Sequence, residues 1–256
     1  MADQNDHTKS IIHQFTLQAI PFAKKTAHSR GEALRLYCEL TGISAADNVL
    51  DVACGPGLVA CEFATIARHV TGIDITPAMI EQAKKLQAER RLTNLTWQIG
   101  EAIPLPFGDA SFSLVFTRFS FHHFINPSEV LREMMRVCAP GGRVAVVDVA
   151  LPPDKVDAYN RMEKLRDPSH TRALTIGEFT TMALEVGLQE VRTGYHKVEM
   201  ELESQIKASF PNPGDDEKIR QIFREDLGKD ALGVRAHLRG EEIWFAYPIL
   251  VLVGKK

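Results

Sequence analysis

The residues best placed to do chemistry begin at Asp51, a carboxylate inside the apolar run Asn48 to Val52, directly ahead of Ala53-Cys54-Gly55-Pro56-Gly57. A charge inside a buried strand is costly unless a ligand amino group or an amide network compensates it. Gly55 and Gly57 let backbone amides approach a ligand, and the helix expected from Leu58 to about Ala67 aims its positive end at the same place. About 20 residues onward, where a ribose-binding carboxylate is expected, Asp74 ends a second apolar run. Gly55 to Ala60 also satisfies Gly-x-Gly-x-x-Ala, so spacing alone leaves an NAD(P)-dependent oxidoreductase open beside other adenosine ligands. Asp51 favours the others, because a pyrophosphate gains nothing from a carboxylate whereas a cationic amino acid group does.

Histidines form the second group. His122 and His123 follow the fourth apolar run and could serve as a base, since imidazole titrates near neutrality. Being adjacent, they lack the i, i+4 spacing of a helical metal pair, and no metal is expected. Their bland reading is one packed, hydrogen-bonded ring. His170 lies beside Arg166 and Asp167, which otherwise read as a turn over Asp167-Pro168-Ser169 with a surface Arg166–Asp167 pair. His28-Ser29-Arg30 is a third polar cluster or simply a helix end.

These groups must be held by elements that the hydrophobic pattern outlines. Helical periodicity over Ile11 to Leu40, broken at Pro21 and Gly31, predicts two helices before the first strand. Apolar runs at Asn48–Val52, Val70–Asp74, Leu95–Ile99, Phe112–Phe119 and Val144–Val149 alternate with helices opened by Thr76-Pro77 and Asn126-Pro127, the latter closed by Pro140-Gly141-Gly142. That alternation reads as an α/β, doubly wound, Rossmann-like sheet whose ligand lies beyond the strands' carboxyl ends. Further on, a helix is expected over Asp154–Arg166, and a capping box at Thr175 to Glu178 opens another. Leu188–Val198 suits a sixth strand, Leu202–Leu238 is mostly helical in pattern, and Ile243–Val253 closes the chain as a seventh strand. A single domain over 1–256 follows, with its core at about 41–150, 175–200 and 241–256. Segments 1–40, 151–174 and 200–240 then build a helical lid.

Thirty basic against thirty-three acidic residues argue against a dedicated nucleic-acid binder. The amino terminus lacks the order of a secretory signal, and the longest apolar run is too short to span a bilayer. Cys38, Cys54, Cys61 and Cys138 form no Cys-x-x-Cys pair, as expected of buried thiols in a cytoplasmic protein. A small-molecule partner, no nucleic acid, no membrane span and a monomer or homodimer are the expectations.

Taken together, Val49 to Gly57, Gly72-Ile73-Asp74 with Met79, Gly100-Glu101-Ala102 leading into Leu105-Pro106-Phe107, and Ser111-Phe112 resemble the class I S-adenosylmethionine-dependent methyltransferases. His122-His123-Phe124 and Arg136-Val137 to Pro140-Gly141-Gly142 are similar to the ubiquinone/menaquinone methyltransferase-like branch, and Leu165 to His170 to a smaller bacterial subgroup. The resemblance implies methyl transfer from S-adenosyl-L-methionine, leaving S-adenosyl-L-homocysteine, to an O-, C- or N-atom of a small metabolite. It implies that Asp51, Ala53 and the Gly55/Gly57 backbone hold the methionine end and that Asp74 binds the ribose. Ile75 and Met79 would pack near the adenine, with Glu101 and Ala102 at its amino group, where the branch usually has Asp in place of Glu101. Arg118 and Phe119 would flank the sulfonium. His122, His123 and His170 are the catalytic candidates, with His28, Phe124 and Arg166 toward the acceptor. A protein that binds S-adenosylmethionine without transferring methyl is the remaining alternative.

Overall fold

The computed structural model describes the backbone of residues 2–25 and 30–256 and the side chains of 5–23 and 31–256. Two helices, α1 (Ala2–Lys25) and α2 (Arg30–Thr41), precede β1 (Asn48–Val52). The alternating part comprises α3 (Leu58–Phe63), β2 (His69–Asp74), α4 (Pro77–Glu89), β3 (Leu95–Ile99), β4 (Phe112–Arg118), α5 (Pro127–Val137) and β5 (Cys138–Leu151). A single 3-10 turn, Phe121–His123, follows β4. The remainder is α6 (Val156–Arg166), β6 (Leu174–Thr175), α7 (Ile176–Glu185), β7 (Gln189–Glu201), α8 (Leu202–Ser209), α9 (Asp215–Asp226), β8 (His237–Arg239) and β9 (Glu242–Lys255).

Seven strands form the main path, in the order β3-β2-β1-β4-β5-β9-β7, with β6 beside β5 and β8 beside β9. Strands β1 to β5 pair in parallel, and β9 runs antiparallel between β5 and β7. Period-two alternation splits the interior into two cores: Val49, Leu114 and Phe116 face one, Leu50, Val52 and Val115 the other. Helices cover both faces, as a parallel sheet requires. The order reverses between β1 and β4, and a crevice opens at such a switch point.

Trp97 on β3 sets the shape of the glycine turn. Its ring lies so close that a Cβ on Gly57 would sit 2.6 Å from Cη2 of Trp97 and 2.9 Å from Cβ of Ala83, and Gly57 also has φ +75°. A Cβ on Gly72 would meet Cε3 of Trp97 at 2.6 Å and Sγ of Cys54 at 2.9 Å. Gly55, at φ +53°, has open space where its Cβ would be. Gly57 is therefore demanded by packing beneath the turn, and Gly55 by conformation on the side where a ligand would lie.

Several boundaries differ from the sequence reading for physical reasons. Pro21 does not break α1; it lies in the last turns, where half-exposed Leu17 leaves room around the carbonyl that loses its partner. Helix α3 stops at Phe63, followed by turn hydrogen bonds of Thr65 to Glu62 and Ile66 to Phe63. Pro140-Gly141-Gly142 lies within β5, because the Gly141 amide donates to Lys256 and Gly142 accepts from Lys256. Residues 227–236 are not helical: Asp226 accepts the amides of Ala231 and Leu232 and turns the chain. The capping box at Thr175 is formed as expected.

Gly72→Ala is expected to destabilise the fold by about 2 kcal/mol, the scale of overpacking a rigid core. Urea denaturation of Gly72→Ala, Trp97→Leu and the double variant tests the cause. The smaller side chain should absorb much of the Gly72→Ala loss, and strictly additive losses would remove Trp97 as its origin.

Candidate functional site

Every loop that leaves the carboxyl end of β1, β2, β3 or β4 contributes to one crevice. Its floor is Asp51 to Pro56, Asp74 to Thr76, Gly100 to Ile103 and Arg118 to Ser120, and Met79 of α4 closes one side. Helix α1 roofs it with His7, Ile11, Phe15 and Phe22, all on one face. His123, Phe124 and Ile125 complete the wall.

Two buried carboxylates face this space from adjacent strands. Asp74 accepts the backbone amides of Gly55 and Thr76, both at 2.8 Å, and so ties the glycine turn to the start of α4. Burial nevertheless lifts its pKa above the usual carboxylate value, with those amides opposing the rise. Asp51 is 2% exposed. Burial, and then the charge of Asp74, push it up to about 8, against smaller opposing effects of Arg118 and the Ala60 amide. Asp51 is thus shifted toward its protonated form at neutral pH.

The turn after β4 is built around a third buried carboxylate, Asp148 of β5. It accepts the Phe121 amide at 2.7 Å, the Val149 amide at 2.7 Å and His122 Nδ1–H at 2.6 Å. Burial disfavours the charged ring of His122, but the adjacent Asp148 outweighs it and the His122 pKa rises. His123 behaves oppositely: burial and the neighbouring His122 hold it below the ordinary imidazole value. His123 Nδ1–H donates to the Ser169 carbonyl at 3.1 Å, which leaves Nε2 as the acceptor of the neutral ring.

Segment 167–172 braces that turn from behind. Asp167 accepts the Ser169 amide and hydroxyl, at 2.9 and 2.6 Å, fixing the carbonyl that orients His123. The Thr171 amide and hydroxyl both donate to the His122 carbonyl at 2.8 Å. From the roof, His7 Nε2–H donates to the His123 carbonyl at 2.7 Å.

Of the residues singled out from sequence, Asp51, Ala53, Gly55, Asp74, Ile75, Met79, Glu101, Ala102, Arg118, Phe119, His123 and Phe124 all line the crevice. Gly57 lies beneath the turn. His122 points to Asp148 instead, and its ring is 5.5 Å from that of His170. His170 Nε2–H donates to Asn160 Oδ1 at 2.8 Å, and its Nδ1 is buried without a partner. Arg166 is buried, not at the surface, and pairs with Glu163 rather than Asp167, with a further bond to Ser209 Oγ at 3.0 Å. His28 lies outside the described residues. Among the described residues no cluster of three or more His, Cys, Asp or Glu is arranged to hold a metal. Sequence reasoning missed Asp148, although a carboxylate within Val144–Val149 is the same signal that marked Asp51. Nothing local marked His7.

Residues 50–146 match the family model described as a methyltransferase domain. The chain is 30% identical over 251 residues to an uncharacterized methyltransferase, YcgJ, of Bacillus subtilis, covering 94% of this chain and 97% of that one. The crystal structure of YcgJ superimposes with a TM-score of 0.80 at 27% identity, over 88% of this chain and 97% of the other. A demethylmenaquinone methyltransferase of Tropheryma whipplei is 34% identical over 128 residues, 50% of this chain and only 52% of that enzyme. No described helix is long and apolar enough to cross a membrane. With the acidic pair, the glycine turn and full-length similarity in agreement, the chain belongs to the class I S-adenosylmethionine-dependent methyltransferases.

Proposed function

We propose that the crevice binds S-adenosylmethionine and that its methyl group passes to a small-molecule acceptor held beneath α1. The observation that carries this reading is the convergence of Asp51, the open side of Gly55 and Asp74 on one roofed space. A narrow, covered crevice suits a small acceptor better than a protein or nucleic-acid chain, which needs an open groove. Residues 1–256 act as one domain in this reading, with α1 as the cover of the site and the segments 151–174 and 200–240 bracing it.

When bound, the cofactor supplies an electrophilic methyl group on sulfur. Asp51 gives up its proton and takes the ammonium of the methionine moiety, and the amides around Ala53, Gly55 and Gly57 approach the same end. Asp74 keeps free lone pairs for the ribose hydroxyls while its other acceptor positions hold the turn. Ile75 and Met79 flank the adenine, and Glu101 with Ala102 stands at its amino edge. Phe124, Ile11 and Phe15 exclude water, which matters because an in-line displacement depends on holding the acceptor close to the methyl carbon. His123 Nε2 receives the proton that the acceptor loses. A weakened base suffices for a hydroxyl acceptor, because attack on the methyl group makes that hydroxyl far more acidic as the bond forms. Of the three histidines His123 fits this role best, with His122 and Asp148 as the pair that shapes its turn; His170, Arg166 and Ser169 serve behind it.

Isothermal titration with S-adenosylmethionine, S-adenosylhomocysteine and NAD tests the cofactor, and micromolar binding of the first two alone is expected. Binding without methyl transfer across a broad acceptor panel would favour a non-methylating role. Because free Asp51 holds its proton below about pH 8 and the ligated form is a carboxylate, cofactor binding at pH 7 should release a proton. Affinity should therefore rise between pH 6 and 7.5, and titrations in buffers of different ionisation heat would count the proton. An Asp51→Asn variant should lose both the release and the pH dependence. His123→Gln is expected to lower kcat by about 100-fold with cofactor affinity nearly unchanged. The acid limb of the wild-type kcat profile should lie below pH 6.5, since the base must be neutral and its pKa is depressed from that value.

A further inference from the structure

Behind the histidine turn, one buried nitrogen has no bond to account for it. His170 is 4% exposed, and its Nδ1 has no hydrogen-bond partner among the described residues. The other ring nitrogen fixes the tautomer. Asn160 Oδ1 takes the Ala173 amide at 2.7 Å and the His170 ring at 2.8 Å; an atom that takes a backbone amide is an oxygen, so Nε2 of His170 carries the ring proton. Nδ1 is therefore a lone pair that lacks a donor, and a buried acceptor left unmade is costly. Burial, and then the neighbouring His122 and His123, hold the His170 pKa far below the ordinary imidazole value, which keeps that lone pair free of a proton of its own.

His122 is the donor that fits. Its Nδ1–H is committed to Asp148 at 2.6 Å, and Nε2 is left to turn elsewhere. The rings of His122 and His170 lie 5.5 Å apart, centre to centre, and are inclined by 33°. A hydrogen bond between two imidazoles places their centres about 5 Å apart. Backbone bonds hold the two rings in this relation: the amide and hydroxyl of Thr171 reach the His122 carbonyl, and the His170 amide donates to the Asp167 carbonyl at 3.0 Å. A neutral His122 with its proton on Nδ1 would bring a second lone pair toward the first, whereas the imidazolium has a proton for Asp148 and another for His170. The charged groups that face His122 agree. Burial opposes its charge, Asp148 of β5 outweighs burial, and Glu163 and Arg166 of α6, paired with each other at 2.5 Å, act on it in opposite senses. His123, the remaining neighbour, is itself disfavoured as a cation.

We infer that His170 is a positioning residue for the histidine turn: its Nδ1 lone pair receives the Nε2–H of the His122 imidazolium, so that Asp148, His122, His170 and Asn160 form one chain. The catalytic consequence rests on the proposed role of His123 as the base. A cation seated with its ring 4.3 Å from His123 keeps His123 uncharged and ready to take the proton of the acceptor. The rival donor to His170 is the Tyr159 hydroxyl, on a ring 6.3 Å away, which would leave His122 indifferent to residue 170.

Asparagine and glutamine separate the two ring nitrogens of residue 170, since Asn presents an oxygen near the place of Nδ1 and Gln an amide N–H near the place of Nε2. Histidine ring nitrogen shifts of the full chain, assigned by the loss of each signal in single variants, are followed by NMR as pH is varied. In the wild type, His122 is expected to titrate above about 6.5 and His170 to remain the neutral Nε2–H tautomer throughout. His170→Gln, which keeps the bond to Asn160 and removes the acceptor, should lower the His122 midpoint by about one pH unit, the size of one hydrogen bond to a charged group. His170→Asn, which keeps an acceptor and gives up the bond to Asn160, should lower it by less than about 0.3 unit. A packing role alone predicts the reverse order. Unchanged signals of His69, whose ring is bonded to Thr96, show that a variant is folded. An unmoved His122 midpoint in His170→Gln, an equal or larger drop in His170→Asn, or a wild-type His122 that titrates below the ordinary value would overturn the assignment. His122→Gln should raise the His123 midpoint and carry the acid limb of kcat upward with it. A limb that stays in place while the His123 midpoint moves would overturn His123 as the base and leave the chain of Asp148, His122 and His170 standing.

Discussion

One carboxylate joins the parts of this site. Asp74 spans from the amide of Gly55 to the amide of Thr76, so the turn after β1 and the turn before α4 are held by the same two oxygens. Parallel strands end side by side and leave loops that nothing in the sheet itself connects. Asp74 provides that connection from inside, and its burial is tolerable only because backbone donors satisfy it. Beside it, Asp51 has too few donors to stay charged, which makes it the group that changes state when a cation arrives. A fixed and a titrating carboxylate on adjacent strands thus divide the work of shape and recognition.

The histidine turn depends on the same logic of inward-facing acceptors. Asp148 and the carbonyl of Ser169 each take one ring nitrogen, yet the two rings move in opposite directions: Asp148 raises the His122 pKa, while burial and the neighbouring His122 lower that of His123 against the opposing pull of the Ser169 carbonyl. Adjacent imidazoles with rings 4.3 Å apart cannot both carry charge cheaply, so favouring one suppresses the other. The segment from Asp167 to Arg172, distant in sequence, acts here as a brace for the turn, and Arg166 is committed to Glu163 and Ser209.

Much of the sheet was legible in the sequence because its signals are local. Asn48–Val52 and Leu95–Ile99 are bounded as the apolar runs indicated, and Asp51 and Asp74 stood out as carboxylates within or at the end of such runs. What was not legible depends on partners far away in the chain. The extension of β5 through Gly141-Gly142 needs the final residue, Lys256, and the orientation of His123 needs Ser169. Sequence adjacency made His122 and His123 look equivalent; only the position of Asp148 separates them. The turn at Asp226 was misread although Gly228 and Gly233 mark it, because the amphipathic pattern of α9 continues past its end.

Among the described residues, the side-chain hydrogen bonds that tie helix α1 to distant parts of the chain fall along one line. His7 donates to the His123 carbonyl, Gln14 and Gln18 both donate to the Ser209 carbonyl, and Ile11 and Phe15 between them face the crevice. Positions 7, 11, 14 and 18 fall on a single stripe of the helix. Rolling the helix by one residue, about 100°, would carry the whole stripe away together. These hydrogen bonds are therefore made or lost as a set, and helical phase, more than distance, defines whether that stripe covers the site.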